Sequence, residues 1–184
     1  MSRTSLPAIQ SGWSRLLLWD ETLLVAACGR SQTAWLRRGM RGLTRAGDTG
    51  GWLVHGLVLG LFMPEPLAYV QLLVIAAALA TLVSQALKRL CRRTRPDRAI
   101  AAFTAGAANP DVFSFPSGHT SVAFAVATAL AGANGLLGTL ELSMAAAIAC
   151  SRVGLGAHYP LDVIAGIGVG VSCGFGAGLI AGLL

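Results

Sequence analysis

Charge is what this sequence has least of. Only 12% of its 184 residues are Asp, Glu, Lys or Arg, whereas 54% are hydrophobic and the mean hydropathy is +0.66. A water-soluble domain carries about 25% charged residues, so that class is excluded and a single integral membrane domain is indicated. Cysteine is scarce as well. Cys28, Cys91, Cys150 and Cys173 lie far apart, with no Cys-x-x-Cys pair and no histidine at ligand spacing, which excludes a zinc site or disulfide framework and leaves packing as their expected role. Arg15, Asp20 and Glu21 interrupt the early apolar residues, so no cleaved signal peptide is expected. Carboxylates nowhere cluster as a divalent-metal site requires, and no internal repeat or low-complexity segment stands out.

The charge that is present is lopsided, with 14 Lys and Arg against 8 Asp and Glu. Its densest run is Lys88, Arg89, Arg92, Arg93, Arg95 and Arg98. No aromatic residue is interleaved there for base stacking, and the run ends an apolar helix, so nucleic acid is excluded as a partner. Membrane-flanking cations around an anion site are the better reading.

Apolar runs long enough to cross hydrocarbon predict five spans. They cover Gly50 to Met63, Leu67 to Leu87, Ser117 to Ala133, Gly135 to Cys150, and Pro160 to the end of the chain, with a polar loop from Asp97 to Phe115. Before them, leucines and tryptophans alternate with arginines from Trp13 to Arg45. This suits one or two amphipathic helices lying in the interface, because a crossing by Leu16 to Cys28 would bury Asp20 and Glu21. The expected fold is therefore an all-α membrane bundle in one domain, residues 1–184, with an interfacial segment over 1–46 and a catalytic core over 47–184. In the last span Gly166, Gly170, Gly174, Gly178 and Gly182 recur every fourth residue. Such a ridge lets helices approach closely, within the chain or, as the alternative, across a homodimer.

In up-and-down order the spans bring three short segments to one membrane face: Lys88 with Arg95-Pro96, then Pro116-Ser117-Gly118-His119, then Ser151-Arg152 with His158 and Asp162. Lys88, Arg95 and Arg152 suit a phosphoryl group, since their charges persist and guanidinium forks meet two oxygens at once. Arg89, Arg92, Arg93 and Arg98 are read as snorkelling helix-end cations. Ser117 and the first free N–H groups of the third span form an anion seat, and Gly118 leaves room for close approach. Asp162 can accept the proton-bearing nitrogen of His158 and leave the other nitrogen free to attack phosphorus. His55, with no acidic neighbour in sequence, is read as structural.

Lys-x6-Arg-Pro, Pro-Ser-Gly-His and Ser-Arg-x5-His-x3-Asp, in this order, resemble the three signatures of the type 2 phosphatidic acid phosphatase family, whose fold is shared with bacterial acid phosphatases and vanadium haloperoxidases. Every motif position matches, over roughly Lys88 to Gly166. The resemblance implies that His158 attacks phosphorus to form a phosphohistidine, Asp162 orients it, and His119 protonates the leaving oxygen before activating water. It implies that Lys88, Arg95, Ser117, Gly118 and Arg152 hold the phosphoryl oxygens, and that no metal or other cofactor takes part.

The expected activity is hydrolysis of a lipid phosphate or diphosphate whose tail stays in the bilayer: phosphatidate, phosphatidylglycerol phosphate or a polyprenyl phosphate. A vanadate-dependent haloperoxidase and a non-catalytic anion-binding membrane protein are the alternatives. Every Lys and Arg falls on the face of the three motifs, while Glu65 and Glu141 lie toward the other, so a cytoplasm-facing site in the inner membrane is expected.

Overall fold

A computed structural model of the chain describes residues 12–30, 33–100 and 111–182, and the described residues form helices and no β-strand. Two N-terminal helices, α1 (Gly12–Arg30) and α2 (Ala34–Ala46), precede α3 (Thr49–Phe62) and α4 (Pro66–Cys91). A single turn, α5 (Pro96–Ala99), follows, then α6 (Gly118–Ala133), α7 (Gly135–Gly154) and α8 (Pro160–Ile180). The five expected spans correspond to α3, α4, α6, α7 and α8. Residues 101–110 of the expected polar loop lie outside the described residues.

Local chemistry sets the boundaries. Pro66 and Pro160 open α4 and α8 at positions where a backbone N–H has no helical partner anyway. Asn134 closes α6, and its side chain accepts the Leu137 N–H at 3.1 Å to start α7. Arg92, with φ at 49°, ends α4 in the left-handed region.

Helices α4, α7 and α8, with 26, 20 and 21 residues, are long and apolar enough to cross a membrane, whereas α3 and α6 are apolar but shorter. Leu53, Leu57 and Leu61 of α3, Val74 and Leu82 of α4, and Ile164 and Phe175 of α8 face outward. An apolar exterior of this extent belongs against lipid, and the protein is an integral membrane protein. The core lies around α6, where Val126, Ala129 and Leu130 meet Leu72, Ala76 and Ala80 of α4. Gly166, Gly170 and Gly174 of the expected glycine ridge pack on α6 within the chain, whereas Gly182 lies past the end of α8 with open space around it. A Cβ at Gly170 would stand 2.6 Å from the Ser121 carbonyl oxygen, and one at Gly174 would stand 2.6 Å from that of Ala125.

Helices α6 and α7 meet at Asn134, but α6 has 16 residues and α7 has 20. At the far end α7 therefore overtops α6 by about one turn, roughly 6 Å. That mismatch leaves a recess with the start of α6 as its floor and the ends of α4 and α7 as walls. The two N-terminal helices lie over the same end. Asp20 of α1 accepts the Leu161 N–H, in the first turn of α8, at 2.8 Å, and the Cys28 thiol meets the Val153 carbonyl, in the last turn of α7, at 3.4 Å. Contacts at both positions with one end of the bundle place α1 across that end rather than down its length. A buried hydroxyl pair, Thr44 with Ser151 at 2.9 Å, pins α2 onto α7 beside it.

The structure corrects several expectations. Asp20 is buried, at 2% exposure, because its charge is met by Arg93 Nη2 at 2.6 Å as well as by the Leu161 N–H. Arg93 is consequently not a snorkelling cation, since its guanidinium is committed inward and stacks over the Tyr159 ring at 4.0 Å. Glu141, assigned to the opposite face, lies within α7 with its carboxylate 3.5 Å from His55, a partner that sequence adjacency could not reveal. Cys91 and Cys150 are exposed on the helix surface rather than packed inside.

Two stability predictions follow from this packing. Asp20→Ala removes one of the two carboxylates on the Arg93 guanidinium and the acceptor of the Leu161 N–H, and with Asp162 still in place it should cost about 1–3 kcal/mol, read as a lower Tm in detergent, while substitution of exposed Glu21 should stay near wild type. Gly170→Val should cost about 1–3 kcal/mol by overpacking, whereas Gly168→Val, with open space around it, should not.

Candidate active site

The recess is built where the chain turns between helices. After α7, the Arg152 carbonyl accepts the N–H groups of Ala157 at 2.9 Å and His158 at 3.3 Å, and Gly156 supplies the positive φ, 69°, that this tight return needs. His158 is thereby folded back beside Arg152 and is 1% exposed. Four residues on, Asp162 has no exposed surface. Its Oδ2 accepts the Tyr159 N–H at 3.0 Å and faces His158 Nδ1 at 3.4 Å, while Oδ1 accepts from Arg93 Nη1 at 2.8 Å. Its backbone carbonyl accepts the Ser117 N–H at 2.9 Å, which locks the start of α6 to the start of α8.

Donor and acceptor chemistry fixes the His158 tautomer. Arg95 Nη1 lies 3.3 Å from His158 Nε2, and a guanidinium can only donate. Nε2 must therefore carry the lone pair, and Nδ1 carries the proton that faces Asp162. Burial, followed by the positive charges of Arg152, Arg95 and Lys88, holds His158 well below the usual histidine pKa, so the ring is neutral at pH 7.

The cations arrive from the other segments. Lys88, on the last turn of α4, bonds the carboxylate of Asp111. Arg95 donates through Nε to the Asp111 carbonyl at 2.7 Å and through Nη1 to the Ala157 carbonyl at 3.0 Å. A backbone bridge between Thr94 and Phe113, together with the Ser114 N–H on the Arg93 carbonyl at 2.9 Å, zips the two arms of this connection and fixes Arg93 and Arg95. Burial pushes the Asp111 carboxyl up, but the Lys88 bond and the charges of Lys88 and Arg95 outweigh it and hold the pKa below the usual value. Asp111 is thus an internal anion seated on the cations of the recess.

His119, in the first turn of α6, points toward the α2–α3 turn, where Asp48 Oδ1 lies 2.7 Å from its Nε2. A carboxylate only accepts, so the Nε2 proton is directed at Asp48. Gly47 makes this approach possible, since a Cβ there would stand 3.2 Å from the His119 ring and 3.1 Å from Ile148.

A cavity of about 1050 Å³ opens here, lined by Lys88, Arg95, Gly118, His119, Arg152 and His158. Among the residues predicted from sequence, two stand behind its wall. Asp162 is reached only through His158, and Ser117 is fully buried with its hydroxyl accepting from Thr120 at 3.0 Å. The Ser117 hydroxyl meets a bound anion only by exchanging that contact. An apolar groove of about 560 Å³ between α3 and α4, walled by Leu53, Leu57, Leu61 and Val74, joins the cavity, because Thr49, Trp52 and Ala77 line both. Sequence reasoning missed Arg93, Asp48 and Asp111. The available signals were weak: a lone acid at the start of α3, an acid flanking Pro110, and an arginine two residues before Arg95.

Comparison with known proteins shows the family of the chain. The chain is 33% identical over 135 residues to decaprenylphosphoryl-5-phosphoribose phosphatase of Mycobacterium tuberculosis, covering 73% of this chain and 74% of that protein. Its fold is similar to that of a Bacillus subtilis transmembrane PAP2-type phosphatidylglycerolphosphate phosphatase, with a TM-score of 0.76, 25% identity, and coverage of 94% of this chain and 88% of the other. It is also similar to Aquifex aeolicus LpxE, with a TM-score of 0.72, 26% identity, and coverage of 85% and 92% respectively. The family model for the PAP2 superfamily matches residues 69–181, a stretch that begins in α4 and takes in all three segments of the recess, and the chain belongs to that superfamily.

Proposed function

We propose that this membrane enzyme hydrolyses a phosphate monoester carried by a lipid, through a phosphohistidine on His158. The observation that carries the reading is a buried neutral imidazole, its Nε2 lone pair beside Arg95, in a cation-lined cavity that joins an apolar groove. Lys88, Arg95 and Arg152 hold the phosphoryl oxygens, and one of those oxygens takes the place of the Asp111 carboxylate on Lys88. The backbone at Gly118 and the start of α6 complete the seat, with Ser117 behind it. His158 Nε2 attacks phosphorus as the bond to the lipid oxygen breaks, and that oxygen takes a proton from His119. Asp162 holds the Nδ1 proton and stabilises the charge that develops on the ring. Water then attacks phosphorus, gives its proton back to His119, and the N–P bond breaks to release phosphate. No step calls for a metal.

The groove between α3 and α4 suits a lipid tail, because it is apolar and opens toward the bilayer side of the bundle. The relatives named above act on decaprenylphosphoryl-5-phosphoribose and phosphatidylglycerolphosphate, and this chain's substrate is of the same kind: phosphatidate, phosphatidylglycerol phosphate or a polyprenyl-linked phosphate. Residues 1–184 act as one domain, with α1 and α2 lying in the interface over the site. All Lys and Arg among the described residues lie on α1, α2, the end of α4, the segment after it, or the end of α7. That one-sided distribution supports a site facing the cytoplasm of a bacterial inner membrane.

Replacing His158 by Ala should abolish phosphate release from these lipids in detergent with EDTA present. Asp162→Asn should retain the fold and lower kcat by about 10²–10⁴-fold; turnover by purified His158→Ala would falsify the covalent mechanism. Because the His158 pKa is lowered, the neutral nucleophile persists to more acidic pH than a free histidine. The acid limb of kcat/KM that reports it should therefore lie below pH 6.5, and a limb at or above 6.5 would contradict the depressed value. For orientation, single cysteines at exposed Arg92 and Asn134 in a cysteine-free background should react differently with an impermeant maleimide on intact cells. Asn134 should label and Arg92 should not; the opposite pattern refutes a cytoplasmic site.

A further inference from the structure

The cavity is larger than one phosphoryl group needs, and its second set of cations lies on α2. Arg41 and Arg45, one helical turn apart, line it in addition to Lys88, Arg95 and Arg152. Arg37 and Arg38 of the same helix do not line it. The selection follows from how α2 is held. The Thr44–Ser151 hydroxyl pair seats α2 on α7 next to Arg152, so the i, i+4 pair that flanks Thr44 is presented to the recess. Across the α2–α3 turn from Arg45, Thr49 opens α3 and lines both the cavity and the apolar groove. A lipid with its tail in the groove and its terminal phosphate on Lys88, Arg95 and Arg152 therefore passes Arg41 and Arg45 on the way.

We infer that Arg41 and Arg45 form a second anion subsite, which selects lipids carrying a further phosphate, a phosphodiester between tail and headgroup, in addition to the phosphate that is removed. This deepens the lipid phosphatase reading and rests on it. A phosphodiester bears one negative charge and two unbridged oxygens, which a pair of guanidinium forks meets well, whereas a simple phosphomonoester lipid leaves the subsite empty. The subsite acts on binding, so its effect belongs in KM rather than kcat.

The test compares phosphatidylglycerol phosphate with phosphatidate, matched in acyl chains and assayed in the same detergent micelles. The quantity read is the ratio of their kcat/KM values. In an Arg41→Gln/Arg45→Gln double variant that ratio should fall by about tenfold or more, since charge-assisted hydrogen bonds contribute on the order of 1.5–3 kcal/mol each. The fall should come from KM of phosphatidylglycerol phosphate. Arg37→Gln/Arg38→Gln removes the same charge from the same helix and should keep the wild-type ratio. An unchanged ratio in the Arg41/Arg45 variant overturns the subsite, and so does an equal fall in the Arg37/Arg38 variant, which would show attraction to the membrane surface by α2 as a whole. If wild type releases phosphate from neither of these lipids nor from a polyprenyl-linked phosphate, the phosphatase reading itself fails and the subsite with it.

Discussion

A carboxylate with no exposed surface must have its charge met inside the protein, and Asp162 does so with two neighbouring residues and one from far along the chain. Arg93 supplies the guanidinium, Tyr159 a backbone N–H and His158 an imidazole N–H. Arg93 in turn is held by Asp20 on α1, which also caps the first turn of α8 through Leu161. Two acids sharing one arginine make each buried charge dependent on the other, and such networks fix geometry more reliably than they add stability. The orientation of His158 thus depends on a helix that crosses the end of the bundle and contributes no residue to the PAP2 match.

The same logic explains the cations. Lys88, Arg95 and Arg152 are all buried and repel one another, an arrangement that folding alone disfavours. Carbonyl oxygens of Ala157 and Asp111 and the Asp111 carboxylate offset part of this. A phosphoryl group with two negative charges would offset it better, which is the role proposed for these cations. The mismatch in length between α6 and α7 sets this cation cluster in the recess, where its burial strengthens electrostatic interactions. A groove leading from the lipid side then gives a membrane-anchored substrate a path that does not require its tail to leave the bilayer.

Much of this was legible in the sequence because it is local. The five apolar runs needed only hydropathy, and His158 with Asp162 needed only a four-residue spacing at a helix start. What escaped were pairs made by the fold. Arg93 lies 73 residues from Asp20 and 69 from Asp162, and Leu161 lies 141 from Asp20. In sequence Arg93 is indistinguishable from Arg92, which faces outward; the left-handed turn at Arg92, just past the end of α4, separates their roles. Asp20 was read as too costly to bury because its partner was out of view. His119 likewise looked self-sufficient until the α2–α3 turn brought Asp48 to it. Ser117 matched its motif, but its inward rotation toward Thr120 is set by packing that the sequence does not encode locally.

The most direct test of the account is a structure of the wild-type protein determined with orthovanadate, whose trigonal-bipyramidal geometry mimics phosphoryl transfer. The account predicts vanadium within bonding distance of His158 Nε2. Its equatorial oxygens should lie on Lys88, Arg95 and Arg152, with the Asp111 carboxylate displaced from Lys88 and Asp162 still on Nδ1. Vanadate bound away from His158, or joined to it through Nδ1, would contradict the nucleophile assignment and with it the central claim.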